Sequence, residues 1–457
     1  MGRGNAIPVT GLFRLAILWL FAAVSLAAAP ALAGPNAHEG VASCAGSTCH
    51  SRPAATGVAV RQNELITWQD PSSVAGAHSR AWRVLTEARG EAIAARLGLG
   101  PAEKAAACLG CHADPAPVAL RGARFQMSDG VTCESCHGAS GGWIASHTAV
   151  DATHAGNVAR GMVALDDPKA RANRCLDCHF GGAGPDQFVT HQIMAAGHPR
   201  IAFELDLFTS LQRHHDVDAD YLSRHKTAAS GVKTWAVGQA LALNRALTLY
   251  SAPGRDTGGV FPEFYFFDCQ SCHRQISDDP KFRPAAEPNP GRPVPVGMAP
   301  FNDENMIMLS AAAKVAAPGQ AARFEADSRA FHAALGKDRA GAFRAASALA
   351  GSSRALGDAF AGRAFGRAET LAILDNVLSG EVARRYTDYA GSTQAVMAAD
   401  TLLSSLVAER QVDRAQAARI RPDLDRAYRA VRDPNSFRPA ELRAALAEVA
   451  QAVRGLK

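Results

Sequence analysis

The sequence predicts a mainly α protein in two parts: a loop-rich first part packed around bound groups, then a C-terminal α-helical bundle. Three observations carry this. All ten cysteines and fourteen of the fifteen histidines lie before residue 280. Seven prolines fall between Pro280 and Pro300. Beyond them the chain is rich in Ala, Leu and Arg, with apolar residues at helical spacing. The expected division is an export signal over 1–33, a cysteine- and histidine-rich domain over 34–279, a Pro-rich linker over 280–300 and an α-helical domain over 301–457.

At the N-terminus, Arg3 and Arg14 precede the apolar run Leu15 to Leu26, and Ala31, Leu32 and Ala33 offer a small-residue cleavage site before Gly34. This reads as a secretory signal peptide, which in a bacterium leads to the periplasm. No later stretch approaches the ~18 apolar residues of a membrane helix, so no transmembrane span is expected in the mature protein.

The second domain owes its reading to cysteine spacing. The pairs are Cys44 and Cys49 before His50, Cys108 and Cys111 before His112, Cys133 and Cys136 before His137, Cys175 and Cys178 before His179, and Cys269 and Cys272 before His273. Four are C-x-x-C-H, the attachment signature of c-type haem, and the first is a stretched C-x-x-x-x-C-H. On a helical turn, positions i and i+3 share a face, so two thiols can add to one porphyrin while the next histidine reaches its iron. Tetrahedral zinc does not require a histidine directly after each second cysteine. A disulfide framework needs no histidine, and a redox C-x-x-C would normally occur once. At Cys44 and Cys49 a disulfide remains the alternative. Five covalently bound haem c groups are therefore expected, installed by the cell's haem maturation machinery, with His50, His112, His137, His179 and His273 as proximal iron ligands.

Removing the signal takes away two arginines and no acid, so the polypeptide charge falls from +5 to +3. Haem adds about two propionate carboxylates per group, giving an acidic assembled molecule and no reason to expect a nucleic-acid partner. Arg80, Arg121, Arg124, Arg174 and Arg200 are candidate propionate partners.

The ten remaining histidines decide what such irons can do. His147 and His154 are seven apart, as are His191 and His198, a spacing of two helical turns or roughly 10 Å along an axis. His78, His147, His154, His191 and His198 are the first candidates for distal iron ligands. His214, His215, His225 and His38 stand in reserve, His332 reads as structural, and Met127, Met162 and Met194 are weaker-field alternatives. Motifs two and three, twenty residues apart, are the expected close pair.

The Pro-rich segment forbids regular helix and reads as an extended strap. After it, Leu371, Leu374 and Leu378 form one apolar stripe, Val396, Leu403 and Leu406 another, and Leu442, Leu446, Val449 and Val453 a third, opened by Pro439. These are core positions of a small bundle that covers the first domain or docks a partner.

The run from Asp129 to Gly138 (DGVTCESCHG), followed by Trp143 and His147, resembles the multihaem cytochromes c related to the tetrahaem partner of hydroxylamine oxidoreductase. The stretch His191 to Arg200 and the run Phe261-Pro262-Glu263-Phe264 look like a bacterial branch of that group, over roughly residues 40 to 275. The resemblance implies close haem pairs, largely bis-histidine ligation and electron transfer between redox protein partners. It does not reach past Pro280, and the fifth motif and the stretched Cys44 site depart from it.

An iron with both axial positions filled binds no substrate and changes only its oxidation state. The expectation is an electron relay with no catalytic residue. The alternative is a multihaem oxidoreductase whose one open haem acts on a small nitrogen or sulfur compound.

Overall fold

The computed structural model describes Met1 and residues 36–53, 62–182, 184, 186–200, 202–214, 229–252, 263–273, 277–281, 287–295 and 298–456. The expected signal peptide, His215, His225, Phe261 and Pro262 lie outside the described residues. Within them the protein is mainly α, with no β-strand and only two isolated bridges, His38 to Arg121 and Phe267 to Phe301.

The first part is a succession of short helices: α1 (Glu64–Gln69), α2 (Ala88–Leu97), α3 (Ala106–His112), α4 (Cys133–His137), α5 (Ile144–His147), α6 (His154–Ala159), α7 (Pro168–Leu176), α8 (His191–Ala195) and α9 (Leu205–Leu211). The longest, α2, has ten residues. Isolated helices this short are unstable in water, so each needs capping and tertiary support. Thr132 and Ser135 form a reciprocal capping box on α4. Asp167 caps α7 ahead of Pro168, and Thr190 caps α8.

Apolar packing alone does not supply that support. One buried cluster of the first part is Val41, Leu65 and Trp68, and another is Leu85, Ala94 and Ala102. Clusters of this size give residues 36–160 little apolar core of their own, whereas Ala172, Leu176, Phe203 and Leu205 further on pack with Ala242 of the next helix.

The second part is built differently. Helices α10 (Gly231–Tyr250), α11 (Glu304–Ala316), α12 (Pro318–Leu335), α13 (Arg339–Ala361), α14 (Arg367–Val377), α15 (Gly380–Ala383), α16 (Tyr389–Ala408), α17 (Arg414–Ala430) and α18 (Pro439–Arg454) enclose one continuous apolar core. Trp235, Tyr386, Phe301, Phe324, Phe331 and Phe360 are among its fully buried side chains. The stripes of Leu371 and Leu374, Val396 and Leu403, and Leu442 and Val449 all lie in this core. No helix among the described residues is long and apolar enough to cross a membrane.

Packing does not follow the composition change at residue 279. Helix α10 precedes the Pro-rich segment, yet it packs along α13 within the bundle and also against α7 of the first part. Glu204 caps α9 and accepts a 2.8 Å hydrogen bond from Thr401 of α16, while Gln394 donates to the Phe203 carbonyl at 2.7 Å. The strap is pinned as well: buried Arg292 pairs with Asp388 at 2.9 Å and Asp303 at 3.3 Å. Asp388 also caps α16 through the Gly391 N–H.

Candidate functional site

The five motifs sit on five different local structures. Motif two lies within α3 and motif three within α4. Motif four straddles a junction, with Cys175 near the end of α7 and Cys178 and His179 on the π-type turn Asp177–Gly181. Motif five begins on the single 3-10 turn Cys269–Ser271. The stretched first motif follows the turn Val41–Ser43, and its extra residues close a turn in which the Cys49 N–H donates to the Gly46 carbonyl at 2.8 Å. All ten cysteines are free of disulfides.

Each histidine that follows a cysteine pair faces a second histidine. His50 faces His147 with ring centroids 6.2 Å apart, His112 faces His198 at 6.1 Å and His137 faces His214 at 6.3 Å. His179 faces His78 at 5.9 Å, and His273 faces His191 at 6.0 Å. A metal bonded at about 2 Å to a nitrogen of each of two opposed imidazoles puts their centroids about 6 Å apart, and all five pairs stand at that separation. None of the five faces a methionine in these pairs.

His154 does not take part. Its Nε2 lies 3.1 Å from Asp166 Oδ1 on an exposed stretch, and His214, from the reserve set, stands opposite His137. Of the other reserves, His38 holds Asp114 at 2.9 Å, and His332 is buried in the bundle with its Nδ1 on the Ser328 carbonyl. Burial pushes the His332 imidazole down to about 3, so it is neutral and structural.

Neighbouring groups orient the facing rings. His112 Nδ1 donates to the Ala81 carbonyl at 2.9 Å, His198 Nδ1 to Pro199 at 2.8 Å and His214 Nδ1 to Gln212 at 3.1 Å. Trp143 meets His147 edge-on at 5.7 Å. Glu263 joins the fifth motif to its facing histidine: it caps the turn at Phe264 and accepts the His191 N–H at 2.7 Å. The three Nδ1 hydrogen bonds fix the tautomer and direction of their imidazoles, whereas Glu263 holds His191 by its backbone N–H.

The thiols that meet belong to non-consecutive motifs. Cys44 interacts with Cys133, and Cys111 with Cys178. Thiol contacts thus join motif one to motif three and motif two to motif four, while the 2.7 Å hydrogen bond from Thr132 to Asp114 ties motif three to the residues just after motif two. Gly110, between the cysteines of motif two, permits the second approach: a Cβ there would lie 2.5 Å from the Asp186 carbonyl, and the Gly110 carbonyl lies 3.8 Å from Cys178 Sγ. Cys136 and Cys175 also interact electrostatically, which links motif three to motif four. Burial pushes these two thiols up to about 11 and about 12, so neither is a thiolate at neutral pH.

Three of the candidate propionate arginines have protein partners. Arg80 donates to the Asp70 and Ser73 carbonyls, Arg121 to the Ala116 carbonyl, and Arg200 pairs with Glu304 at 3.2 Å. His38, Asp114 and Glu134 converge closely enough to suggest a metal site, but their lone pairs are engaged. Glu134 accepts the Glu39, Gly40 and Ser140 N–H groups, and Asp114 accepts from His38, Thr132 and the Ala116 N–H. The cluster anchors the segment before motif one onto motif three.

The residues therefore fit haem: thiol pairs free of disulfides, and an imidazole after each pair opposed to a second imidazole at metal-bridging separation. This is the donor set of a c-type cytochrome. Residues 44–138, which span motifs one to three, match the family described as cytochrome c554 and c-prime, supporting that class, covalently bound haem and a part in electron transfer. No curated protein and no solved structure matches the chain.

Proposed function

We propose that the chain is a periplasmic pentahaem cytochrome c that relays electrons between redox proteins through five bis-histidine irons. The pairs are His50 with His147, His112 with His198, His137 with His214, His179 with His78, and His273 with His191. This ligand set takes His214 in place of His154. The observation that carries the reading is the opposition of a second imidazole to all five motif histidines at 5.9 to 6.3 Å.

Haem supplies one-electron chemistry when bound, and the chain's own residues decide what else is possible. With an imidazole on each side to hold it, a bound haem iron would have no position left for nitrite, hydroxylamine or a sulfur compound. Held rings keep the ligand geometry nearly the same in both oxidation states, which favours electron transfer over catalysis. The thiol neighbours suggest the order one, three, four, two. Phe180, directly after His179, meets Tyr265 at 5.8 Å, four residues before Cys269, and so joins motif five to motif four.

The test is ligand challenge of the exported protein. Carbon monoxide added to the reduced form, and cyanide, nitrite or hydroxylamine added to the oxidised form, should leave a wholly low-spin spectrum unchanged. A high-spin component that shifts with any of these ligands would replace the relay with the oxidoreductase reading.

A further inference from the structure

The motif histidines differ in what holds the nitrogen turned away from the facing ring. His50 Nδ1 lies 3.0 Å from Oε2 of Glu64, the first residue of α1. The corresponding atom of His112 meets a backbone carbonyl. That of His179 is buried with no hydrogen-bond partner among the described residues, its ring against Phe203 at 5.0 Å and Phe208 at 5.4 Å. These are a carboxylate, a neutral acceptor and no acceptor at equivalent positions.

The electronic consequence follows from elementary coordination chemistry. An imidazole N–H bonded to a carboxylate gains imidazolate character and donates more strongly, which favours ferric over ferrous iron. A carbonyl does this less. An unbonded ring in an apolar pocket does it least, and burial adds a penalty for the extra positive charge of the oxidised iron. The His50 side chain is 40 % exposed, so water stabilises the oxidised state there in the same direction.

We infer that Glu64 is a positioning residue that acts through His50 and holds the motif-one iron at a lower potential than the irons of motifs two and four. The inference rests on the haem reading above. At equilibrium it leaves a singly reduced molecule with its electron away from motif one, toward the buried His179 site. The order of potentials then comes from this chain's own hydrogen bonds, because the axial atoms are the same at every site.

The test is an anaerobic redox titration of the five-haem protein with Glu64→Gln. The amide oxygen can still accept from His50, so a purely structural role is preserved while the charge is removed. One of the three lowest midpoints should rise and the other four should stay, with haem content and low-spin spectrum unchanged. Glu64→Asp, which retracts the carboxylate by one methylene, should move the same midpoint upward and serves if the glutamine variant fails to mature. Unchanged midpoints, or a shift confined to another wave, overturn the role of Glu64. An unsubstituted protein that lacks five low-spin haems instead overturns the reading on which the inference rests.

Discussion

His137 and His214 face one another with ring centroids 6.3 Å apart and planes at 84°, although His214 lies beyond the fourth motif. His154, only seventeen residues from His137, faces Asp166. His214→Ala should convert one low-spin haem to high spin, read optically and by ligand binding, whereas His154→Ala should leave all five low-spin. The reverse result would return His154 to the ligand set.

The imidazole planes sort the sites. His50 with His147 at 16° and His191 with His273 at 29° are near-parallel, whereas His112 with His198 at 86° and His137 with His214 at 84° are near-perpendicular. Parallel ligands split the iron π-orbitals and perpendicular ligands leave them nearly degenerate. Electron paramagnetic resonance of the oxidised protein should show both rhombic and strongly axial low-spin signals. His147→Ala should remove rhombic intensity, and His198→Ala axial intensity.

Arg292, Asp303 and Asp388 tie the strap to the bundle through a buried ion cluster. Removing one partner leaves an uncompensated charge, so Arg292→Met should cost about 3–5 kcal/mol in denaturant unfolding. Arg421→Met, which breaks a half-exposed pair with Asp400, should cost about 1 kcal/mol or less.

Glu204 joins α9 to α16, and burial, with the neighbouring Asp206 next, pushes its carboxyl from 4.5 up to about 7. A carboxyl raised on folding binds its proton more tightly in the folded chain. Its stabilising contribution is therefore complete below the unfolded value and is lost as pH rises through the folded one. Unfolding midpoints should fall between about pH 4.5 and about pH 7, and Glu204→Gln should reduce that fall. An equal fall in both proteins would contradict the assignment.

The cysteine–histidine motifs were legible because attachment chemistry is confined to a few consecutive residues. Pairing of histidines was less legible because it is not local. The spacing of seven from His147 to His154 suggested one two-turn helix, but α5 ends at His147 and α6 begins at His154. Likewise α8 ends at Ala195, before His198, and His198 reaches His112 from the irregular stretch beyond it. The apolar stripes of the bundle were readable from helical period. Helix α10 was hidden from that reading because it lies inside the histidine-rich part, although Trp235, Val237, Leu243, Leu247 and Tyr250 among others place it in the bundle core.

The most direct test of the central claim is the intact mass of the exported chain with its thiols counted. Five haem additions and no titratable thiol are predicted, with the Cys44 and Cys49 peptide carrying one haem like the other four. A colourless chain, or cysteines found free or disulfide-paired, would contradict the account.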